Sequence, residues 1–178
     1  YIIFTHMHHD HYIGLAGLLF FMLQSGQKDI GDLTFIGPET MPEVLQRTYS
    51  FLQLDKFFSV KKYPEEIILS AGEHFENDEI ILKASSCYHP VEARAYAIKE
   101  KNSGKLLAIS GDTAYKEDLI EIFSGADALI HDCTLGYNKC CDDPATRSCG
   151  HSSIFEAIKL CEKADVPVLF SMHMNDDD

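Results

Sequence analysis

The chain has 178 residues, of which 46% are hydrophobic and 24% charged, and its 15 Lys and Arg against 28 Asp and Glu give a net charge of −13. This length and composition indicate a globular protein that can bury a core. The acidic balance argues against a protein that wraps nucleic acid with a broad basic face. The longest apolar stretch, residues 14–23, is half the roughly 20 residues that cross a bilayer, so no membrane partner is predicted.

The cysteine pattern indicates the compartment. Six cysteines are present without a CxxC pair, and two of them, Cys140 and Cys141, are adjacent. Disulfide frameworks belong mainly to short secreted chains, so reduced thiols in a cytoplasmic protein are the preferred interpretation. Cys87, Cys133 and Cys161 lie in apolar surroundings and are predicted to fill core volume.

The predicted elements of the first half begin with an apolar strand over residues 1–5, which runs into a histidine cluster. Residues 11–24 are too long and too rich in Leu, Met and Phe for a strand, and they predict a buried helix. A second helix is predicted from residue 38 to about residue 54 by its 3.6-residue apolar period. Further strands are predicted at residues 33–36, 57–63, 67–69 and 80–88.

The second half continues the alternation of strands and helices. The segment Asn102-Ser103-Gly104 predicts a hairpin between strands at 95–99 and 105–110. The remaining predictions are helices at 116–123 and 152–164 and strands at 128–131 and 166–171. This order predicts an α/β or α+β fold with a covered sheet, in a single domain over residues 1–178.

The strongest chemical signal is the sequence Thr5-His6-Met7-His8-His9-Asp10-His11, which contains H-x-H-x-D-H. By composition arithmetic, this pattern arises by chance in only about one chain in several hundred. Imidazoles two residues apart in an extended turn can converge on one ion, while Asp10 and His11, already turning into the helix, can begin a second site. Two adjacent metal sites are therefore predicted, and a surface histidine cluster without a ligand is the alternative.

Three further residues of ligand type follow predicted strands. His89 ends the strand at 80–88, Asp112 lies in Ser110-Gly111-Asp112-Thr113, and His173 follows the last strand. Open sheets place their sites beyond the carboxyl ends of strands. Each residue alone also fits a turn Asp or a solvated His. Together they predict the rest of a metal site.

These motifs resemble those of the metallo-β-lactamase fold superfamily of binuclear hydrolases and, within it, of the ribonuclease Z-like phosphodiesterase branch. The resemblance extends from His6 to His173. Residues 130–134, Ile-His-Asp-Cys-Thr, resemble the family's His-Glu-Ala-Thr motif, and residues 150–153, Gly-His-Ser-Ser, resemble its Gly-His-Ser-Thr motif. Asp132 replaces the family's Glu; this shorter carboxylate keeps the charge but changes its reach.

The resemblance implies a four-layered αβ/βα sandwich, two divalent metal ions and a homodimer. The ions are expected to be Zn²⁺, with Mn²⁺ and Fe²⁺ as alternatives. By motif, the first metal is held by His6, His8 and His89, the second by Asp10, His11 and His173, and Asp112 bridges both. Relatives begin with about 50 residues of strands before the histidine motif, a length that fits ordinary domain sizes. We therefore expect a fold that lacks its N-terminal strands.

Metal ions at these ligands would activate a water as the nucleophile and make the pocket attractive to anions. The candidate catalytic residues are Asp10, His151 and Asp132. His151, oriented by Asp132, would donate a proton to the leaving oxygen. The alternative for His151 is a structural place at a helix N-terminus, with Ser152 as the cap.

The predicted function is hydrolysis of small or cyclic phosphodiesters. The alternatives are a ribonuclease Z-type tRNA 3′ endonuclease, a thioester or lactam hydrolase of the same fold, and a non-catalytic metal-binding or nucleic-acid-docking domain. The 23 positions from His89 to Asp112 leave no room for the long tRNA-gripping arm that ribonuclease Z inserts between its third and fourth motifs. Long RNA also needs several Lys or Arg contacts to phosphates, so RNA is the less favoured partner.

Overall fold

The structure is a computed structural model that describes residues 1–26, 30–138, 142–145 and 147–174. Cys140 and Cys141 lie outside the described residues. The chain divides into two compact units, Tyr1–Leu69 and Ser70–Asp178. The single domain over residues 1–178 stays a prediction.

The first unit is built on a three-stranded parallel sheet in the order β1-β2-β3. Parallel neighbours need a crossover, and helices supply it between each pair of strands. The strands are β1 (Ile2–Ile3), β2 (Thr34–Gly37) and β3 (Glu65–Ile68). The helices are α1 (Gly14–Gln24), α2 (Met41–Leu52) and α3 (Leu54–Phe57).

The core of the first unit comes from one face of each long helix. Apolar side chains are buried at every fourth position of α1 and α2, namely Leu15, Leu19, Leu23, Met41, Leu45 and Tyr49. They form one cluster with Phe4 and Phe35. Burial of a Leu side chain contributes roughly 1.5–3 kcal/mol, so this cluster is the main stabilising element of the unit.

The second unit contains a six-stranded sheet in the order β4-β5-β6-β7-β8-β9. Its strands are β4 (His74–Glu76), β5 (Ile80–Ser86), β6 (Arg94–Glu100), β7 (Leu106–Ile109), β8 (Ala128–Asp132) and β9 (Leu169–Met172). The antiparallel pairing of β6 with β7 confirms the predicted hairpin. The last two pairings are parallel, because α4 (Leu119–Phe123) and α5 (Ile154–Ala164) provide the crossovers.

The core of the second unit packs α4 and α5 against the sheet. Leu119 and Phe123 of α4 and Leu160 of α5 are fully buried with Leu129 of β8. Cys161 belongs to this cluster and Cys87 packs beside it. Cys133 is also buried, and burial raises the pKa of its thiol to about 11. The three thiols therefore fill core volume, as the sequence predicted.

One predicted strand is wrong, and one short strand of the structure was not predicted. The strand at residues 57–63 is wrong: Phe57 ends helix α3, and Ser59 takes a left-handed φ of 54° that interrupts an extended chain. Val60 is buried in the first core, so the apolar pattern there reflects packing and not sheet pairing. Strand β4 was not predicted, because it has three residues and two of them are exposed.

Two sheets with covering helices confirm the predicted α/β class. None of the helices formed by the described residues has the length and apolar character of a membrane span.

Candidate metal centre

The histidine motif occupies the connection between β1 and α1 in the first unit. The backbone N–H of Phe4 donates to the carbonyl of Ile36 at 2.8 Å, and its ring meets that of Phe35 edge-on at 5.8 Å. The chain then passes through a 3-10 turn at His9–His11 before α1 begins. A buried aromatic pair thus fixes the point from which the motif leaves the sheet.

His6 and His8 converge within this connection. His6 is fully buried, and its Nε2 lies 3.1 Å from Nδ1 of His8. Two ring nitrogens at this spacing share either one proton or one cation. With metal–nitrogen bonds of about 2.05 Å, two ligands of a tetrahedral zinc ion lie about 3.3 Å apart. The His6–His8 spacing fits two ligands of one ion.

Asp10 and His11 form a second pair in the same unit. The His11 Nε2 atom lies 3.3 Å from the Asp10 Oδ2 atom, and the His11 ring packs on His6 with centroids 4.1 Å apart. Asp10 is exposed. All four predicted ligands of the first unit therefore lie together, and their imidazole and carboxylate donors are those that zinc, manganese and iron accept.

The second unit gathers another group of ligand type. Asp112 follows β7 and is 2% exposed, and its Oδ2 lies 3.5 Å from Nε2 of His173, which follows β9. Asp112, His151 and His173 offer ligand atoms that all lie within 4.8 Å of one another. Burial of a carboxylate is costly unless hydrogen bonds or a cation stabilise it. The donor set at Asp112 therefore fits a cation.

His89 is oriented by a glycine of a distant segment. Its Nδ1 donates to the carbonyl of Gly150 at 3.1 Å, so in the neutral ring Nε2 carries the lone pair. Gly150 has a φ of +66°, and a Cβ atom there would lie 2.8 Å from the His89 Cα and 2.9 Å from its Nδ1. The close approach therefore requires glycine at position 150. His89 also lines a cavity of about 250 Å³ with Tyr88 and Arg147.

Asp132 and His151 form the predicted carboxylate–imidazole pair. Asp132 ends β8 and is fully buried, and its Oδ2 accepts from Nδ1 of His151 at 2.8 Å. The same oxygen accepts from the backbone N–H of Thr113 at 3.1 Å. The shorter Asp side chain therefore still reaches His151.

The alternative interpretation of His151 named the wrong cap. Ser153 is the N-cap of α5, in a capping box with Glu156. Ser152 is turned inward instead, and its hydroxyl donates to the carbonyl of Thr113 at 2.7 Å. This bond ties the residue after His151 to the residue after Asp112.

Arg147 was not predicted from the sequence. Its side chain is 3% exposed, and its guanidinium donates to both carboxylate oxygens of Glu156, at 2.8 and 3.0 Å, and to the carbonyl of His151 at 2.6 Å. Burial opposes ionisation of Glu156, but the Arg147 hydrogen bonds hold the pKa of that carboxyl below its usual range. The buried ion pair thus fixes the backbone that carries His151.

Thr134 lies in the motif at residues 130–134, and no role is predicted for it from the sequence. Its hydroxyl donates to Asp132 Oδ1 at 2.5 Å and lies 3.0 Å from Nδ1 of His151 and 2.9 Å from Nδ1 of His173. No local sequence pattern could show this, because the two histidines are 17 and 39 positions away along the chain.

Fold and motifs together define a metal-dependent hydrolase of the metallo-β-lactamase fold. Residues 1–174 match the model of the Beta-lactamase superfamily domain, and the chain belongs to that family. The match and the relatives below confirm the predicted superfamily, its ribonuclease Z-like branch and the enzyme class.

The curated relatives include ribonucleases. Ribonuclease BN of Enterobacter sp. (strain 638) is 27% identical over 98% of this chain and 70% of its own length. Ribonuclease Z of Saccharolobus solfataricus is 23% identical over 96% of this chain and 69% of its own length.

Three solved structures support the fold. Human tRNase Z, short form, aligns with a TM-score of 0.75 at 22% identity, over 99% of this chain and 72% of that chain. YhfI from Bacillus subtilis, a metallo-beta-lactamase fold protein, gives 0.72 at 22% identity, over 97% and 63%. A diphosphatase from the PhnP family gives 0.67 at 19% identity, over 97% and 59%. The chain thus spans less than two thirds of the last two.

Proposed function

We propose that the chain forms a binuclear metal centre that hydrolyses small or cyclic phosphodiesters. The observation that carries the proposal is the hydrogen bond of 2.8 Å between the buried Asp132 and the partly exposed His151, whose ring clusters with Asp112 and His173. A lactam or thioester hydrolase needs the metal ligands alone. A phosphodiesterase benefits from an acid for the leaving oxygen, which this pair provides.

The proposed ligands follow the family motifs and the two clusters described above. His6, His8 and His89 would hold the first metal, Asp10, His11 and His173 would hold the second, and Asp112 would be a ligand of both. We propose Zn²⁺, and Mn²⁺ or Fe²⁺ would be accepted by the same donors. When bound, two such cations neutralise charge on a phosphoryl group and lower the pKa of a water.

Residues of the chain itself would hold the proton that goes to the leaving oxygen. Nδ1 of His151 bonds to Asp132 at 2.8 Å, and we propose that the ring acts on a substrate oxygen through Nε2. A buried carboxylate at Nδ1 stabilises the protonated ring, so His151 can hold a proton and release it to the leaving oxygen. Asp10 is proposed both as a ligand and as a catalytic residue of the first unit.

The net charge and the short connection between His89 and Asp112 favour a small substrate. Most of the residues between His89 and Asp112 form the tight β6–β7 hairpin. This connection therefore forms no extended arm. The net charge of −13 disfavours a long polyanion, which needs several basic contacts. A diphosphatase from the PhnP family shares the fold.

The second candidate is a ribonuclease Z-type tRNA 3′ endonuclease. Both curated relatives described above are named as ribonucleases, and this is the observation that favours it. A homodimer and a cytoplasmic location are further proposals drawn from the resemblance and from the thiols.

One substrate panel tests these alternatives. The chain, supplied with Zn²⁺, Mn²⁺ or Fe²⁺, is assayed on bis(p-nitrophenyl) phosphate, a cyclic mononucleotide, a tRNA precursor, a chromogenic lactam and a thioester. We expect turnover of the first two substrates. Efficient precursor cleavage with a steep salt dependence would favour the ribonuclease instead, and turnover of only the lactam or thioester would reject both phosphodiester functions.

A further inference from the structure

The Thr134 hydroxyl lies where three side chains of the second unit meet. It contacts the buried carboxylate of Asp132 and the Nδ1 atoms of His151 and His173. The two rings are stacked, with centroids 5.3 Å apart and planes inclined by 25°. One hydroxyl group therefore connects the proposed proton donor with a proposed metal ligand.

The number of protons available decides which atoms donate. A threonine hydroxyl has one hydrogen and two acceptor lone pairs. Its hydrogen goes to Asp132 Oδ1, because the carboxylate can only accept and the contact is 2.5 Å long. Towards both histidines, the Thr134 oxygen is then restricted to accepting. The ring nitrogens facing it, Nδ1 of His151 and Nδ1 of His173, must carry hydrogen.

This restriction determines the tautomer of each neutral ring. A neutral imidazole with hydrogen on Nδ1 presents a lone pair at Nε2. In His173, the Nε2 atom lies 3.5 Å from Asp112 Oδ2, on the side of the proposed metal. In His151, Nδ1 also donates to Asp132 Oδ2 at 2.8 Å, so this ring has a second acceptor that holds the same tautomer.

We propose that Thr134 is a positioning residue that fixes His173 in its Nδ1–H tautomer and thereby prepares Nε2 of His173 to bind metal. The inference rests on the proposed function, in which His173 is a ligand. It assigns Thr134 a task within the metal centre beyond that of the Asp132–His151 pair. A hydrogen bond from the ring nitrogen that does not bind metal sets the orientation and basicity of a ligating histidine.

Two variants at position 134 separate the hydroxyl from the shape of the side chain. Thr134→Val keeps the branched shape and removes the hydroxyl, while Thr134→Ser keeps the hydroxyl. The control Thr48→Val deletes a hydroxyl that donates to the Val44 carbonyl within α2 of the first unit. Should the Thr134→Val chain fail to fold, Thr134→Ala provides a smaller replacement without a hydroxyl.

The first measurement is the histidine tautomer in the full chain, read from long-range proton–nitrogen correlation spectra at a pH where the rings are neutral. In the unchanged chain, we expect both rings to carry hydrogen on Nδ1, with and without zinc. In Thr134→Val, His173 should lose this preference and His151 should keep it, because Asp132 remains. An unchanged His173 tautomer in Thr134→Val would overturn the proposal.

The second measurement is zinc affinity, determined by competition with a chelator. Loss of a partner of a ligating histidine weakens metal binding by about 10- to 100-fold, and we expect that range for Thr134→Val. Thr134→Ser and Thr48→Val should stay close to the unchanged chain. Equal affinity in Thr134→Val and Thr48→Val would also overturn the proposal. Neither measurement uses hydrolysis, so a chain without phosphodiesterase activity would reject the proposed function alone.

Discussion

Replacement of Gly150 by Ala tests whether the approach of two distant segments positions His89. The left-handed φ of +66° costs a non-glycine residue about 1–2 kcal/mol. A Cβ atom would also lie 2.8 Å from the His89 Cα, a backbone atom that cannot move aside by rotating a side chain. Weakening of the His89–Gly150 hydrogen bond adds about 1 kcal/mol. We therefore expect Gly150→Ala to lower the free energy of unfolding by roughly 2–4 kcal/mol.

The matched control is Gly125→Ala. Gly125 has a similar φ of +70°, but among the described residues no heavy atom beyond its chain neighbours lies within 4 Å of the place that a Cβ atom would take. This variant should therefore show only the backbone cost of about 1–2 kcal/mol. Urea unfolding gives both free energies, and chelator competition gives zinc affinity, which should fall only in Gly150→Ala. Equal losses of stability in the two variants, with unchanged zinc binding, would refute the positioning of His89 by Gly150.

Three further predictions test the metal bridge, the buried His131 and the Arg147–Glu156 ion pair. Asp112→Ala should abolish phosphodiester hydrolysis and lower the bound metal measured by atomic emission, whereas Ser153→Ala should mainly lower the free energy of unfolding by about 1 kcal/mol through loss of a helix cap. Normal turnover with full metal in Asp112→Ala would contradict the bridging role of Asp112. Burial lowers the pKa of His131, so the unfolded state binds more protons than the folded state, and the free energy of unfolding should fall as the pH drops below about 6.5. Urea unfolding at a series of pH values should show a weaker pH dependence of this free energy in His131→Gln. Glu156→Gln should cost roughly 3 kcal/mol by leaving Arg147 buried without its charged partner, and an unchanged unfolding midpoint would argue against that ion pair.

The clustering of the histidine-motif side chains could be predicted because its information is local. His6, His8, Asp10 and His11 lie within six residues, and the short connection from β1 to α1 leaves them few ways to separate. Asp112 and His173 lie far apart in the chain, but each follows a strand of the same sheet. The rule that sites form at the carboxyl ends of strands was sufficient to predict that these two side chains approach each other, and they lie 3.5 Å apart.

The supporting contacts could not be predicted because they depend on tertiary packing. Gly150 and His89 are 61 positions apart, and their approach is visible only once the loops are folded. Arg147 carries no motif of its own, and its role appears only through its bonds to Glu156 and to the His151 carbonyl. The wrong strand at residues 57–63 has the same origin, since burial of Val60 in a core and burial in a sheet give similar apolar patterns.

Hydrolysis of bis(p-nitrophenyl) phosphate during a zinc titration of the metal-free chain tests the central proposal most directly. Activity is measured after each addition, and bound zinc is determined in the same samples. A binuclear centre predicts that activity rises until two zinc ions are bound per chain and then stays constant. Full activity with one bound zinc ion, or no hydrolysis with two, would contradict the proposed centre.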